Sequence, residues 1–235
     1  MFYLSNVNDA IRMLKKGKPV LVFDFAEREA EVDIFILAEK MTADKIRLMR
    51  KDGGGLICVA LHPMIADSLG LIYLHELLMK IDELRDLVKH VPYDPTGRPS
   101  FSLTVNHIRT RTGITDIDRA LTIRELGLLC NKYWQKEIDK EQFRKEFIQN
   151  FRAPGHVFLL RAADHILDER RGHTELAIAL ALLGNMTPCI ALCEMLADDG
   201  KALSLEDAKK YAEENDLVII SGTEILNAWK QFITE

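Results

Sequence analysis

The chain holds no apolar run of membrane-spanning length, and its opening residues, Met1 to Asn6, carry no signal-peptide pattern. A soluble, cytoplasmic protein with no membrane partner is expected. No two of its four cysteines, Cys58, Cys130, Cys189 and Cys193, form a CxxC pair. They are expected to be reduced and mostly buried, as in an intracellular protein. Positive charge is not in excess: 31 Lys and Arg against 36 Asp and Glu leave a net charge of −5. Broad attraction to nucleic acid or an anionic membrane is therefore disfavoured, while a local basic pocket stays compatible. Internal repeats, low-complexity tracts and shifts of composition are absent too. One domain over 1–235 is the simplest account. With 48% hydrophobic and 29% charged residues, the composition is that of an ordinary globular protein with a substantial core.

What is present is unevenly placed. An apolar run, Pro19 to Phe23, is closed by Asp24 and followed by Glu27-Arg28-Glu29-Ala30-Glu31-Val32-Asp33, before a second apolar run, Ile34 to Leu37. A buried strand delivering charge to one end of a sheet has this pattern. If extended, Glu27, Glu29, Glu31 and Asp33 share one parity and point to one side. Like charges packed so closely call for a cation. Arg28 is then left to meet an anionic substrate.

Periodicity and turn signals give alternating elements. Helices are expected over 6–16, 42–51, 63–68, 75–89, 136–149 and 174–183. Thr122 to Glu125 reads as a capping box opening a further helix, and Ser204 and Ser221 open the last two. Strands are expected over 19–24, 33–38, 56–61, 101–106, 156–161, 188–194 and 217–220. Residues 25–32 read as an acidic loop and 93–100 as a Pro/Gly-rich loop. Strands 33–38 and 101–106 follow loops rather than helices. The expected class is therefore α/β (α+β): a single domain with a mixed central β-sheet flanked by helices.

Four further segments carry chemistry. Arg170-Arg171-Gly172-His173-Thr174-Glu175 precedes an apolar helix and suits a phosphate, since backbone N–H groups, the helix dipole and a guanidinium converge there. It also reads as an ordinary capped helix with a solvated basic turn, about evenly. His156 follows Pro154-Gly155 at a strand start. Glu194 ends an apolar strand, where partial desolvation raises a carboxylate toward the range of a general base. Residues 110–119, rich in hydroxyls around Gly113, fit a turn holding a phosphate or sugar hydroxyls.

In order, the chain carries Arg28-Glu29-x-Glu31-x-Asp33, Gly54-Gly55-Leu56-Ile57-Cys58, Thr112-Gly113-Ile114-Thr115-x-x-Asp118-Arg119, Pro154-Gly155-His156-Val157, Arg170-x-Gly172-His173-Thr174-Glu175 and Leu192-Cys193-Glu194. Six motifs in register strongly resemble the 3,4-dihydroxy-2-butanone 4-phosphate synthases of riboflavin biosynthesis, most of all the single-activity archaeal members. The chain is too short for the GTP cyclohydrolase II domain fused in some relatives. The resemblance implies conversion of ribulose 5-phosphate to 3,4-dihydroxy-2-butanone 4-phosphate and formate. It implies a divalent cation, Mg2+ or Mn2+, and a homodimer with active sites near the subunit interface. It implies Glu29 and His173 as metal ligands. Substrate contacts fall to Arg28, Glu29, Asp33, Thr112, Arg170, Arg171, Gly172, His173, Thr174 and Glu194. Catalysis falls to His156 and Glu194, with Asp33 and Glu31 as further proton carriers.

Val32 departs from the family pattern, which usually has a small or hydroxyl residue there, and should stiffen the acidic loop. Two rival functions fit some of the residues. Another metal-dependent sugar-phosphate enzyme, an isomerase or aldolase, would use the same Glu/His/Arg kit without releasing formate. A module binding nucleic-acid phosphate through 170–174 is opposed by the carboxylates at 27–33.

Overall fold

The computed structural model describes residues 6–88 and 98–234. Seven apolar runs become strands: β1 Val20–Phe23, β2 Val32–Leu37, β3 Cys58–Leu61, β4 Phe101–His107, β5 Phe151–Arg161, β6 Cys189–Glu194 and β7 Val218–Ser221. They form one sheet in the order β4-β5-β3-β6-β2-β1-β7. The β1–β7 and β3–β5 pairs are parallel and the other four antiparallel. This is the mixed α/β sheet expected from strands that follow loops.

Helices cover both faces, so the central strands are buried on both sides and read as continuous apolar runs. Alternation along each strand sorts side chains between two cores. Leu21, Ile34, Val59 and Ala191 pack toward α2 Ala43–Leu48, α3 Pro63–Leu69, α5 Asp116–Trp134, α6 Lys140–Asn150 and α8 Leu205–Glu214. Val22, Phe35, Ala60 and Leu192 pack toward α1 Val7–Lys15, α7 His173–Leu183 and α9 Gly222–Phe232. Full burial of each such aliphatic or aromatic side chain contributes roughly 1.5–3 kcal/mol. All four cysteines are buried and free. No described helix is long and apolar enough to cross a membrane.

This sorting places the chemistry. Asp33 pairs with Glu194 across β2 and β6. Both share the parity of Phe35 and Leu192, so both face the side of the sheet that α7 covers. The register thus brings two carboxylates together beside the start of α7.

Several boundaries differ from expectation. Thr122 does not open a helix. The start of α5 is at Asp116, where the Thr115 hydroxyl accepts from the Asp118 N–H, while Thr122 lies inside it and donates to the Asp118 carbonyl. The next helix begins at Lys140 rather than Lys136, because Lys136 adopts a φ of 61° and Asp139 caps the Gln142 N–H. The 75–89 helix is a short α4, Leu74–Leu78, followed by a 3-10 turn, Asp82–Leu87. No residue of either piece is buried, so no packed face extends the helix. Residue 89 and the 93–97 part of the expected loop lie outside the described residues.

Candidate active site

The site starts from Asp24. Its side chain is fully buried at the end of β1. Oδ1 accepts from the Glu31 N–H at 3.0 Å, and Oδ2 accepts from the Glu29 N–H and from Arg28 Nη1, each at 3.2 Å. One carboxylate therefore folds the segment between β1 and β2 into a turn, with Ala30 at a φ of 55°. The extended reading of 27–33 is corrected here: 26–29 form a turn, Glu27 is exposed, and strand geometry begins at Val32. Glu29, Glu31 and Asp33 still converge, by turn geometry rather than by parity.

They converge on a cavity of 540 Å³. Arg28, Glu29, Glu31, Asp33, Arg170, His173, Thr174 and Glu194 line it. Sequence reasoning missed its opposite wall, which includes Phe101 and Leu160 from the ends of β4 and β5.

His173 is the first residue of α7 and is 7% exposed. Its Nδ1 lies 3.5 Å from Glu29 Oε2, and its Nε2 lies 3.5 Å from Asp33 Oδ1. Phe35 holds the ring edge-on, with centroids 6.3 Å apart. Burial raises the Glu29 carboxyl, but the His173 hydrogen bond and the Arg28 guanidinium outweigh it and hold it at about 2. Complete burial pushes Asp33 up to about 8 against the pull of His173, and the other carboxylates push the same way. Burial lowers His173, yet Asp33 and Glu29 overcome this and bring it to about 9. Glu31 is raised by burial and by Glu29 beside it. Glu29 thus stays ionised far below the range in which Asp33 and His173 give up their protons, the pattern of a site that moves protons.

The donor set fits a hard divalent cation. One ligand atom from each of Asp24, Glu29 and His173 lies within 4.8 Å of the others. Asp33 Oδ1 and His173 Nε2 are buried without a hydrogen-bond partner among the described residues. Oxygen ligands with one imidazole suit Mg2+ or Mn2+.

Glu194 enters from the sheet. Its Oε2 accepts from the Leu56 N–H at 2.8 Å. Gly55 makes this approach possible, since a Cβ there would collide with the Glu194 carboxylate and come within 2.7 Å of its Cβ. The Gly53 to Gly55 run is therefore a passage for backbone over a functional side chain.

At the start of α7, Arg170 lines the cavity and Gly172 is buried beneath the two arginines rather than in the wall, while Arg171 is exposed and forms no part of it. Arg28 and Arg170 converge over Gly172: a Cβ there would collide with Arg170 and meet Arg28 Nη2 at 3.0 Å. Glu175, fully buried, pairs with Arg170 at 2.8 Å. Sequence reasoning gave neither Asp24 nor Glu175 a role. A carboxylate ending a buried strand and one at the third position of an apolar helix were the available signals.

Thr112 and His156 are not brought to this cavity by their own chain. The Pro-Gly segment is not a turn before a strand. It lies within β5, where the pairing with β4 shifts register between Val105 and Asn106. His156 is exposed there, its N–H donating to Asn106 Oδ1 at 2.9 Å and its Nδ1 3.1 Å from Asn106 Nδ2. The same Asn106 sits under Gly113, next to exposed Thr112.

Comparison with known proteins agrees with the geometry. The family model for 3,4-dihydroxy-2-butanone 4-phosphate synthase matches residues 8–228. A synthase of that name from Archaeoglobus fulgidus is 46% identical, covering 97% of this chain and 96% of that protein. One from Methanosarcina mazei is 44% identical, covering 96% and 91%. A solved 3,4-dihydroxy-2-butanone 4-phosphate synthase in complex with two magnesium ions superposes with a TM-score of 0.74 at 27% identity, covering 97% of each chain. On the family match, the identities and the shared fold, the chain belongs to the 3,4-dihydroxy-2-butanone 4-phosphate synthase family.

Proposed function

We propose that this chain is a divalent-cation-dependent lyase converting D-ribulose 5-phosphate to L-3,4-dihydroxy-2-butanone 4-phosphate and formate. The observation that carries the reading is one cavity in which Glu29, Glu31, Asp33 and Glu194 face two arginines and His173. The reaction requires proton removal beside a carbonyl, loss of a hydroxyl, a skeletal shift and expulsion of one carbon as formate. Arg28, Arg170 and the N–H groups opening α7 suit the phosphate. That leaves the carboxylate side of the cavity for the sugar carbons.

Glu29 and His173 are the proposed ligands of Mg2+ or Mn2+. When bound, the cation supplies Lewis-acid stabilisation to substrate oxygens on which charge builds. Asp24 is near enough to join them, but both its oxygens already accept hydrogen bonds within the turn, and we assign it to holding the loop. Glu194, oriented by the Leu56 N–H, is the proposed general base. Asp33, raised by burial to about 8 before a cation binds, faces the cavity and can orient a hydroxyl or return a proton. Glu31 is the third carrier. Reading the carbon products of ribulose 5-phosphate tests this directly. An isomerase or aldolase leaves no formate, so consumption without formate would sink the proposal.

We further propose a homodimer in which Thr112 and His156 serve the partner's cavity, Thr112 at the substrate and His156 as proton relay. Ile114 and Ile117 beside them are 51% and 72% exposed, which supports burial against a second copy. Mixed dimers of H156A and E194Q, each inactive alone, should regain activity through one intact composite site. Absence of any recovery would return His156 to a local structural role.

A further inference from the structure

Glu175 is a carboxylate beside the cavity that does not itself reach into it. Its side chain is fully buried, and it does not line the cavity. Each oxygen is nonetheless committed. Oε1 accepts from the Ala163 N–H at 3.0 Å, just past the end of β5. Oε2 accepts from Arg170 Nη1 at 2.8 Å and from the Gly172 N–H at 3.2 Å. One side chain therefore ties the sheet's exit, the arginine and the cap of α7 to a single point.

The second arginine is held in the same way. Arg28 is paired with Asp24, also fully buried. The two guanidiniums approach each other over Gly172, where no side chain separates them. Like charges brought together and largely removed from water repel unless each has an anion behind it. A buried carboxylate behind each arginine fixes the direction of its guanidinium. Arginine recognises a phosphate through a planar, bidentate fork, so a small rotation of the guanidinium costs more than a loss of nearby charge.

We propose that Glu175 is a positioning residue for substrate binding: it sets the angle of the Arg170 guanidinium and holds the Gly172 cap of α7, so that the arginine and the N–H groups opening the helix together grip the phosphate of the sugar phosphate. This deepens the function proposed above and rests on it for the identity of the ligand. Glu175 touches no reacting atom. Its loss should appear in KM rather than kcat, and only while Arg170 is present.

The experiment measures inorganic phosphate binding calorimetrically, and ribulose 5-phosphate turnover separately, in wild type, E175Q, E175D, R170M and R170M/E175Q. In E175Q, KM and the phosphate dissociation constant should each rise about tenfold or more, the scale of one charge-assisted hydrogen bond, with kcat within about threefold. R170M/E175Q should bind no more weakly than R170M, since Glu175 acts through that arginine. If E175Q does not fold, E175D keeps the charge and draws it back from Arg170, and the same rise in KM is expected. Phosphate affinity unchanged in folded E175Q or E175D, or full additivity with R170M, would overturn the proposal. Weakened phosphate binding in E175Q while wild type makes no formate would instead keep the Glu175 role and overturn the synthase reading.

Discussion

Replacing Asp24 with Asn tests how the acidic turn is held. The side chain is fully buried and accepts three hydrogen bonds, at 3.0, 3.2 and 3.2 Å. In D24N the amide oxygen can keep the Glu31 N–H, but the NH2 group then faces two donors, the Glu29 N–H and Arg28. The Glu29 N–H stranded in a buried site costs about 1–2 kcal/mol, its long distance arguing for the lower half of the usual range, while Arg28 keeps Glu29 as a partner and loses one hydrogen bond, about 1 kcal/mol. Together these give about 2–3 kcal/mol. In a chain of this size that lowers Tm by about 5–10 °C if the turn unfolds with the rest. If the turn releases alone, the same energy appears as magnesium affinity weakened about 30-fold or more, because Glu29 leaves its place. Thermal unfolding and calorimetric titration of the metal-free protein read both channels. A Tm within about 1 °C of wild type together with an affinity within about twofold would refute the reasoning.

Four shorter predictions follow from the same geometry. E194Q should keep the fold and abolish turnover of ribulose 5-phosphate, and an active variant would remove Glu194 as base. G55A should displace the Glu194 carboxylate and cut kcat at least tenfold while destabilising by about 1–3 kcal/mol, read by kinetics beside urea unfolding. Magnesium binding to the metal-free protein should release protons at pH 7 and tighten as pH rises toward 9, because the His173 imidazole must give up a proton it holds up to about 9; calorimetry in buffers of different ionisation heat would show otherwise. His62, partly buried against Trp134, is lowered by burial to about 4 from 6.5. The unfolded chain binds that proton first, so on the order of 2 kcal/mol of stability, after solvent screening, should be lost as pH falls from about 6.5 to about 4, and H62Q should remove that part of the acid sensitivity.

The strands were legible because β1, β2, β3 and β6 are buried on both faces and so read as unbroken apolar runs. The gathering of Glu29, Glu31, Asp33, Arg170, His173 and Glu194 around one cavity was legible because they lie in or next to the ends of such elements. What escaped was fixed by backbone geometry that leaves little trace in residue type. The acidic segment satisfies a strand's parity, yet Asp24 captures its N–H groups and folds it into a turn. Thr122 and Glu125 have the spacing of a capping box, but the hydroxyl of Thr115, beside Asp116 and Asp118, opens the helix instead. Pro154 and Gly155 signal a turn, and the sheet absorbs them as an irregularity within β5. Asp24 and Glu175 were passed over because their work is done on backbone amides and arginines, not on a ligand.

A cavity that expels one carbon of ribulose 5-phosphate with the help of a bound cation must release formate only when that cation is present. Formate and ribulose 5-phosphate are followed together by NMR, with magnesium and then with excess EDTA. One formate per sugar phosphate consumed is expected, abolished by EDTA and restored by added magnesium or manganese. Sugar phosphate lost without formate, or formate released at the same rate in EDTA, would contradict it.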